Sequence, residues 1–191
     1  MLKLNLGCGY RKLEGFINVD HDKRCNPDVC TDLEQELPFK ENTVSEIVMC
    51  HSVEHLGQDT KTYLNIWKEL YRVLVPNGKV FIWVPHHLSE AFHNDPTHCR
   101  KVTLTSLRLF DQQLNLYDIA RGNAATTLGL QNGIDFKIGF FRFGLDPEFE
   151  KEMEGKDYVE VANEVHKRLN VCHELYVELH AVKPGRGTNG V

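Results

Sequence analysis

Apolar residues recur along this chain with the two spacings that distinguish strands from helices. Apolar stretches at 2–6, 16–19 and 80–84 predict β-strands. Residues 60–74 instead place their apolar side chains on one helical stripe, and Pro76-Asn77-Gly78 is expected to end that helix and turn the chain. Residues 80–84 are apolar throughout, which is typical of a parallel strand covered on both faces.

The pattern is less regular after residue 85. Between 86 and 135 it predicts a short helix from Thr103 or Thr105 to about Phe110, then an irregular passage at 122–133 rich in glycine, asparagine and threonine. Residues 136–145 predict a strand with a bulge near Gly139, because the apolar positions change face there.

The end of the chain again alternates helix and strand. Asp146-Pro147 predicts a helix start, and helical sequence continues to about residue 169 with an interruption at Gly155. Residues 173–181 alternate apolar and polar side chains, which predicts a last strand with His173 on its apolar face. Strands and helices that alternate in this way predict a doubly wound α/β sheet.

Length and composition fit a single domain, residues 1–191. The formal net charge of −5 disfavours nucleic acid as a partner, although Arg100, Lys101 and Arg108 form a local basic group. No apolar run is long enough for a membrane span, and no signal peptide is apparent. The six cysteines include no C-x-x-C pair, so we expect reduced, buried thiols in a cytoplasmic protein.

The first strand leads into a glycine turn, Gly7-Cys8-Gly9, and the second strand delivers Asp20 at its carboxyl end. Glycine lets a ligand lie on the backbone, and an acid at this place can accept hydrogen bonds from a ribose. A dinucleotide site needs a third glycine and an acid roughly 20 residues further on. Here Lys12 stands at the third position and Asp20 follows Gly9 by only 11 residues, so a cofactor without phosphates is favoured.

Several motifs in order resemble the small class I S-adenosylmethionine (SAM)-dependent methyltransferases of the type 11 branch. The matching segments are Leu4-Asn5-Leu6-Gly7-Cys8-Gly9, Gly15-Phe16-Ile17-Asn18-Val19-Asp20, Asp28-Val29-Cys30-Thr31-Asp32-Leu33, Leu37-Pro38-Phe39, Glu46-Ile47-Val48-Met49-Cys50 with His51-Ser52-Val53-Glu54-His55-Leu56, and Leu74-Val75-Pro76-Asn77-Gly78-Lys79. The resemblance covers about the first 85 residues, and each segment alone is a weak motif.

The resemblance implies a Rossmann-like, mostly parallel seven-stranded twisted sheet with an antiparallel last strand and a shortened first helix. Residues 1–85 would form the cofactor-binding core, 86–135 a substrate-side insertion, 136–183 the C-terminal strands and helix, and 184–191 a flexible tail. The cofactor would be SAM, with S-adenosylhomocysteine as its product. The residues expected to bind it are Leu6, Gly7, Cys8, Gly9, Asp20, His21, Asp32, Leu33 and His51.

His51 follows the fourth strand directly, where the resemblance places a side chain at the methyl-transfer centre. The run His51-Ser52-Val53-Glu54 differs from the Asn/Asp-Pro-Pro-aromatic run of DNA-amine methyltransferases, so a DNA base is disfavoured as acceptor. Glu54 is a candidate substrate contact. Alternatively, Glu54 and His55 cap and orient the segment that follows.

A second group of polar residues follows the fifth strand. Asp95-Pro96-Thr97-His98 resembles a substrate-side feature of methyltransferases acting on sugars and other hydroxylated compounds, and His98 is a candidate general base beside His51. The alternative is a histidine that fixes a lid by hydrogen bonding. Further substrate-binding candidates are His86, His87, His93 and Arg100. The spacing of the histidines with Asp95 and Cys99 fits no standard zinc site, so no metal is predicted.

The sequence therefore predicts methyl transfer from SAM to a small-molecule or glycan-type acceptor, at a hydroxyl oxygen, by a cytoplasmic protein for which a homodimer is a candidate assembly. A non-catalytic SAM-binding or S-adenosylhomocysteine-binding regulatory protein is the alternative. A short NAD-dependent oxidoreductase is disfavoured, because the chain lacks the third glycine and a suitably placed Tyr-x-x-x-Lys pair.

Overall fold

The computed structural model describes residues 1–183, and the tail predicted at 184–191 lies outside the described residues. One sheet organises the chain. Its strands are β1 Leu2–Leu6, β2 Ile17–Asp20, β3 Val29–Cys30, β4 Val44–Cys50, β5 Leu74–Pro85, β6 Phe136–Leu145 and β7 Cys172–Ala181. They lie in the order β3-β2-β1-β4-β5-β7-β6. Six strands share one direction and β7 runs against both neighbours, which confirms the predicted fold.

Seven α-helices connect these strands in the described residues. They are α1 Thr60–Val73, α2 Glu90–His93, α3 Leu104–Arg108, α4 Gln112–Arg121, α5 Leu128–Asn132, α6 Pro147–Glu152 and α7 Tyr158–Val165, with 3-10 turns at Lys23–Cys25 and Val53–His55. α1 matches its apolar stripe, but it ends before Pro76-Asn77-Gly78, which lies inside the span of β5. The helix predicted near Thr103 is α3, which Thr103 caps.

The sequence did not predict α2, α4 or α5. The apolar residues of α4 do not fall on one helical face, and Leu116, Tyr117 and Ile119 are exposed. α5 lies within the passage expected to be irregular. The C-terminal predictions did better. The register of β6 shifts between Ile138 and Phe140, which confirms the bulge at Gly139, and Asp146 caps α6 as expected. His173 was placed on the apolar face and is exposed, since the buried alternation begins at Leu175.

Helices cover one face of the sheet. Leu4, Leu6, Val80 and Ile82 are fully buried there and belong to the same core as Trp67 of α1. The side chains that alternate with them on β5 and its neighbours, such as Phe81, Trp83 and Tyr176, are partly exposed, and Phe140 is 52% exposed. The prediction that β5 is covered on both faces is therefore wrong for the described residues.

The segment that joins β1 to β2 explains this open face. Residues 7–16 form turns and irregular backbone, so even the shortened helix expected there is missing. The segment covers only the near part of the face, where Arg11 and Leu13 line a small cavity with Asn5 and Val48.

The cysteines and the helices bear on two further predictions. All six thiols are free, as expected, but only Cys8, Cys25 and Cys172 are buried. Cys50 and Cys99 are partly buried, and Cys30 is exposed because β3 is a two-residue edge strand. Within residues 1–183, no helix has both the length and the apolar character needed to cross a membrane.

Candidate active site

The glycine turn lies at the carboxyl end of β1, against the segment that follows β4. Gly7 has φ +71°, and a Cβ on it would stand 2.4 Å from Cβ of Ser52, so any side chain would push the two segments apart. The N–H groups of Gly7 and Cys8 both donate to the Val19 carbonyl. The turn is thus fixed to β2 by hydrogen bonds along its own backbone.

Asp20 joins the glycine turn to the segment after β2. Its side chain is 9% exposed. One carboxylate oxygen accepts from the Gly9 N–H at 2.8 Å, and the other accepts from the Asp22 N–H at 2.9 Å. Each oxygen retains a further lone pair, so the carboxylate can still accept hydrogen bonds from a ligand.

A cavity of about 270 Å³ opens beside this turn, and we call it the glycine cleft. It is lined by Gly7, Gly9, Asp20, His21, Asp32, Leu33, His51, Ser52, His55 and Leu56. Two carboxylates and two leucines are among these residues, whereas lysine and arginine are not. The lining therefore suits hydroxyl and amino groups and an apolar ring, and it offers no side-chain cation to a phosphate.

His51 occupies the turn between β4 and the Val53–His55 segment. Its backbone has φ +51°, a left-handed conformation that is uncommon for residues other than glycine, and its N–H donates to the Trp83 carbonyl. Nε2 lies 2.8 Å from Oε1 of Glu174, and Nδ1 lies 3.4 Å from Oε1 of Glu54. The Glu54 carboxylate raises the pKa of His51, burial opposes that shift, and Glu174 adds to it.

A second, larger cavity of about 600 Å³ lies on the other side of His51, and we call it the histidine cavity. Ionisable side chains make up most of its lining: His51, Glu54, His55, Asp95, His98, His173 and Glu174. Its remaining walls are Pro85, Ala91, Gly144 and Leu145. His51 lines this cavity, the glycine cleft and the small cavity at Arg11, and so connects all three.

The structure brings together some of the predicted site residues. Gly7, Gly9, Asp20, His21, Asp32, Leu33 and His51 line the glycine cleft, and Glu54 and His98 line the histidine cavity. Leu6 is fully buried in the core, and Cys8 is 4% exposed with its pKa raised by burial, so its thiol stays neutral. Leu6 and Cys8 line neither of these two cavities.

The remaining substrate candidates lie outside the histidine cavity. His86 is 2% exposed, and burial lowers its pKa to about 4. His93 is exposed, and His87 is partly buried beside His86. Arg100 donates to the carbonyls of Gly57 and Gln58 and lies over the Tyr63 ring, so its guanidinium holds the segment before α1.

Among the cavity-lining residues that sequence reasoning missed are Arg11, His55 and Glu174. Arg11 lies 3.2 Å from the Cys50 sulfur, and a cation just after a glycine turn was the available signal for it. Glu174 reaches His51 across 123 positions, and no local pattern indicates that pairing. His55 was interpreted as a cap, yet it lines both cavities.

The glycine turn and the cleft agree with a sequence-family match. Residues 13–82, more than a third of the chain, match the model of a family described as a methyltransferase domain, of type 11. The fold and this match support a class I SAM-dependent methyltransferase. The matched family is the type 11 branch, as the resemblance in the sequence implied.

Solved structures of low sequence identity share the fold. A SAM-dependent methyltransferase from Archaeoglobus fulgidus aligns with a TM-score of 0.59 at 18% identity, over 94% of this chain and 86% of that one. The YcgJ protein from Bacillus subtilis aligns with a TM-score of 0.54 at 14% identity, over 95% and 92%. The methyltransferase in a Haloferax volcanii complex with the activator Trm112 gives 0.53 at 14% identity, over 95% and 83%. No curated protein matches this chain.

SAM is the cofactor of this class, and the glycine cleft fits it. Asp20 and Asp32 are acceptors for hydroxyl and amino groups, Leu33 and Leu56 are apolar, and no lysine or arginine is present for a phosphate. The three N–H groups of the glycine turn are already engaged, so they are not free for the carboxylate of the methionyl part.

Proposed function

We propose that this enzyme transfers the methyl group of SAM to a hydroxyl oxygen of a small-molecule or glycan-type acceptor held in the histidine cavity. The observation that carries the proposal is the position of His51, which lines both the glycine cleft and the histidine cavity. Carboxylates and imidazoles dominate the cavity and are acceptors for hydroxyl donors, and so they favour a polar acceptor over an apolar one.

The residues of the glycine cleft have separate roles in this proposal. Asp20 accepts from the ribose hydroxyls, while Asp32 and the backbone of Leu33 hold the adenine. Arg11 pairs with the methionyl carboxylate, because it lines the same small cavity as Gly7 and Cys8 and the N–H groups of the turn are already engaged.

When bound, SAM supplies a methyl group already activated on a sulfonium, so the protein mainly orients the acceptor and excludes water. His51 takes the proton of the acceptor hydroxyl as the new oxygen–carbon bond forms and the sulfur–carbon bond breaks. It is preferred over His98 for this role, because His98 does not line the glycine cleft. Glu174 orients the imidazole of His51 through Nε2.

An acceptor screen tests the proposal. The purified protein is incubated with SAM and matched sets of polyols or sugars, amines and thiols, and formation of S-adenosylhomocysteine and of methylated product is followed by mass spectrometry. We expect turnover with hydroxyl acceptors and no product with the others. Turnover confined to amines or thiols would refute the hydroxyl assignment.

Replacement of His51 tests the catalytic role separately. His51→Asn suits the left-handed backbone, since asparagine is among the residues that tolerate it. We expect the turnover of the best hydroxyl acceptor to fall by about 10²–10⁴-fold, as for loss of a general base. His180→Asn, on the open face of the sheet, is the control and should keep wild-type turnover. Equal turnover of the two variants would remove His51 from catalysis.

The predicted cytoplasmic location and homodimer stay predictions. So does the division into a core, a substrate-side insertion and C-terminal elements.

A further inference from the structure

One wall of the histidine cavity is a cluster of three electron-rich side chains. Glu54, His55 and His98 each present a ligand atom, and these three atoms lie within 4.8 Å of one another. The rings of His55 and His98 stand edge to face at a centroid distance of 4.6 Å. His55 belongs to the segment after β4, whereas His98 comes from the segment after α2, so the fold brings the cluster together from distant parts of the chain.

Hydrogen bonds fix both imidazoles in the same tautomer. Nδ1 of His98 lies 2.8 Å from the Phe92 carbonyl, which can only accept, so Nδ1 carries the proton. Nδ1 of His55 lies 2.8 Å from the Thr97 hydroxyl, whose own proton goes to Asp95 at 2.6 Å. Thr97 therefore accepts from His55. Both rings are left with a bare lone pair on Nε2, as metal-ligating histidines are when the other nitrogen donates to an outer partner.

Glu54 completes the cluster with a buried carboxylate that has no hydrogen-bond donor among residues 1–183. Its side chain is 1% exposed. Nδ1 of His51 lies 3.4 Å from Oε1 of Glu54 but makes no hydrogen bond with it. A buried carboxylate without donors is costly, and buried charges are usually paired or bound to metals.

We propose that Glu54, His55 and His98 bind one divalent transition-metal ion of the Zn²⁺ or Mn²⁺ type. Two imidazole nitrogens and one carboxylate are a ligand set that holds such ions and leaves coordination positions open. Binding would require side-chain rotations that bring the three atoms to about 2.1 Å from one ion. The open positions face the histidine cavity, where the ion would hold the acceptor oxygen; this last role rests on the proposed function.

Metal titration of the full chain tests the site without reference to activity. The protein is stripped with a chelator, dialysed, and titrated with Zn²⁺ and separately with Mn²⁺ in a calorimeter. We expect one ion per chain, and a change in the Nε2 resonances of two histidines in ¹⁵N spectra. Glu54→Gln and His98→Ala should each weaken binding by more than about 100-fold, since each removes a ligand, and Thr97→Val by about 10-fold, since it removes an outer partner.

Controls separate loss of a ligand from loss of the fold. His93→Ala changes an exposed histidine of the same segment and should keep wild-type affinity for the metal. Circular dichroism and SAM titration establish that each variant is folded, and Thr97→Val gives a graded result if Glu54→Gln does not fold. Failure of the wild type to bind either ion, or equal affinity of wild type, Thr97→Val and His98→Ala, would overturn the site.

The outcome is independent of the acceptor screen. Metal binding by a protein that methylates only amines would keep the site and reject the hydroxyl acceptor. Hydroxyl methylation that survives chelation, with no metal bound, would keep the proposed function and reject the site.

Discussion

Asp20 shows how a single side chain serves both the fold and the ligand. Its carboxylate accepts two backbone N–H groups and also lines the glycine cleft. Loss of the carboxylate therefore leaves two donors without their acceptor, in addition to removing a contact to the cofactor.

We expect Asp20→Ala to abolish SAM binding in calorimetry and to lower the free energy of unfolding by about 1–3 kcal/mol. Asp28→Ala is a matched control, because Asp28 also accepts from a backbone N–H, that of Asn18, but lies outside the cleft. The control should lose stability and keep SAM affinity. If Asp20→Ala binds SAM as tightly as Asp28→Ala does, Asp20 is not a cofactor residue.

The site residues that the sequence predicted well are those at a strand end. Gly7 and His51 follow β1 and β4 directly, and Asp20 is the last residue of β2, so finding the strands was enough to place them. His55 and Glu174 were interpreted less well, or missed, because their partners Thr97 and His51 lie 42 and 123 positions away along the chain. No local periodicity encodes such pairings.

Gly57 determines how closely the segment before α1 approaches that helix. Its φ is +67°, and a Cβ on it would lie 2.6 Å from the Cα of Tyr63. Gly133 has nearly the same φ, +66°, with no atom within 4 Å of its Cβ position. A side chain would therefore meet the same backbone strain at both positions, but a steric clash only at Gly57.

We expect Gly133→Ala to lower the free energy of unfolding by about 1–2 kcal/mol, the cost of the left-handed conformation. Gly57→Ala should cost at least about 2 kcal/mol more, since backbone atoms of α1 must move. Urea denaturation measures both. Equal losses would show that α1 can shift freely away from Gly57.

The turn after β5 makes the stability of the protein depend on pH. His86 is buried in its neutral form, and its backbone N–H donates to the His173 carbonyl. Burial lowers the pKa of the imidazole to about 4, and His87 and His166 add to this shift. The unfolded chain takes up a proton near the ordinary pKa of about 6.5, whereas the folded protein does so only near 4. The free energy of unfolding therefore falls as the pH falls through this window, by about 3 kcal/mol at most.

His86→Asn tests this dependence, because the amide oxygen can replace Nδ1 of His86 as acceptor for the Leu88 N–H while the asparagine side chain does not titrate. Urea denaturation between pH 7 and 4 should show a smaller decrease for the variant than for the wild type. The same decrease in both proteins would assign the effect to other groups, and His87, whose pKa is also lowered by burial, is the first of these.

Periodicity found the long elements and missed the short ones. α1 and β7 were predicted because their buried positions recur regularly, at helical and strand spacing. α2 and α5 have four and five residues, which is too few to show a helical period. The apolar residues of α4 are exposed and do not form one stripe, so they did not indicate a helix.

The whole molecule has a core on one side of its sheet, and its two tryptophans report on the two faces. Trp67 is fully buried under the helices, whereas Trp83 lies partly exposed beside Tyr176 on the open face. The continuous apolar run at 80–84 gave no sign of this asymmetry. Whether a helix covers a face of the sheet depends on the segments that connect the strands. The segment between β1 and β2 contains no helix, so this face stays open.

We expect acrylamide to quench the fluorescence of Trp83 in the wild type and to leave that of Trp67, which is fully buried. Trp83→Phe should abolish the quenched component, since the ring that remains, Trp67, is shielded. A quenched component that disappears as protein concentration rises would support the predicted homodimer. Full shielding of Trp83 at low concentration would contradict the open face described for residues 1–183.

The hydrogen bonds between the glycine turn and β2 link cofactor binding to the order of the backbone at this turn. Because no helix stiffens residues 7–16, the order of the glycine turn depends on hydrogen bonds to β2, which the Val19 carbonyl and the Asp20 carboxylate accept. A cofactor that rests on this turn therefore stabilises a segment without regular secondary structure, and its departure allows these amides to exchange with solvent sooner than those of the central strands.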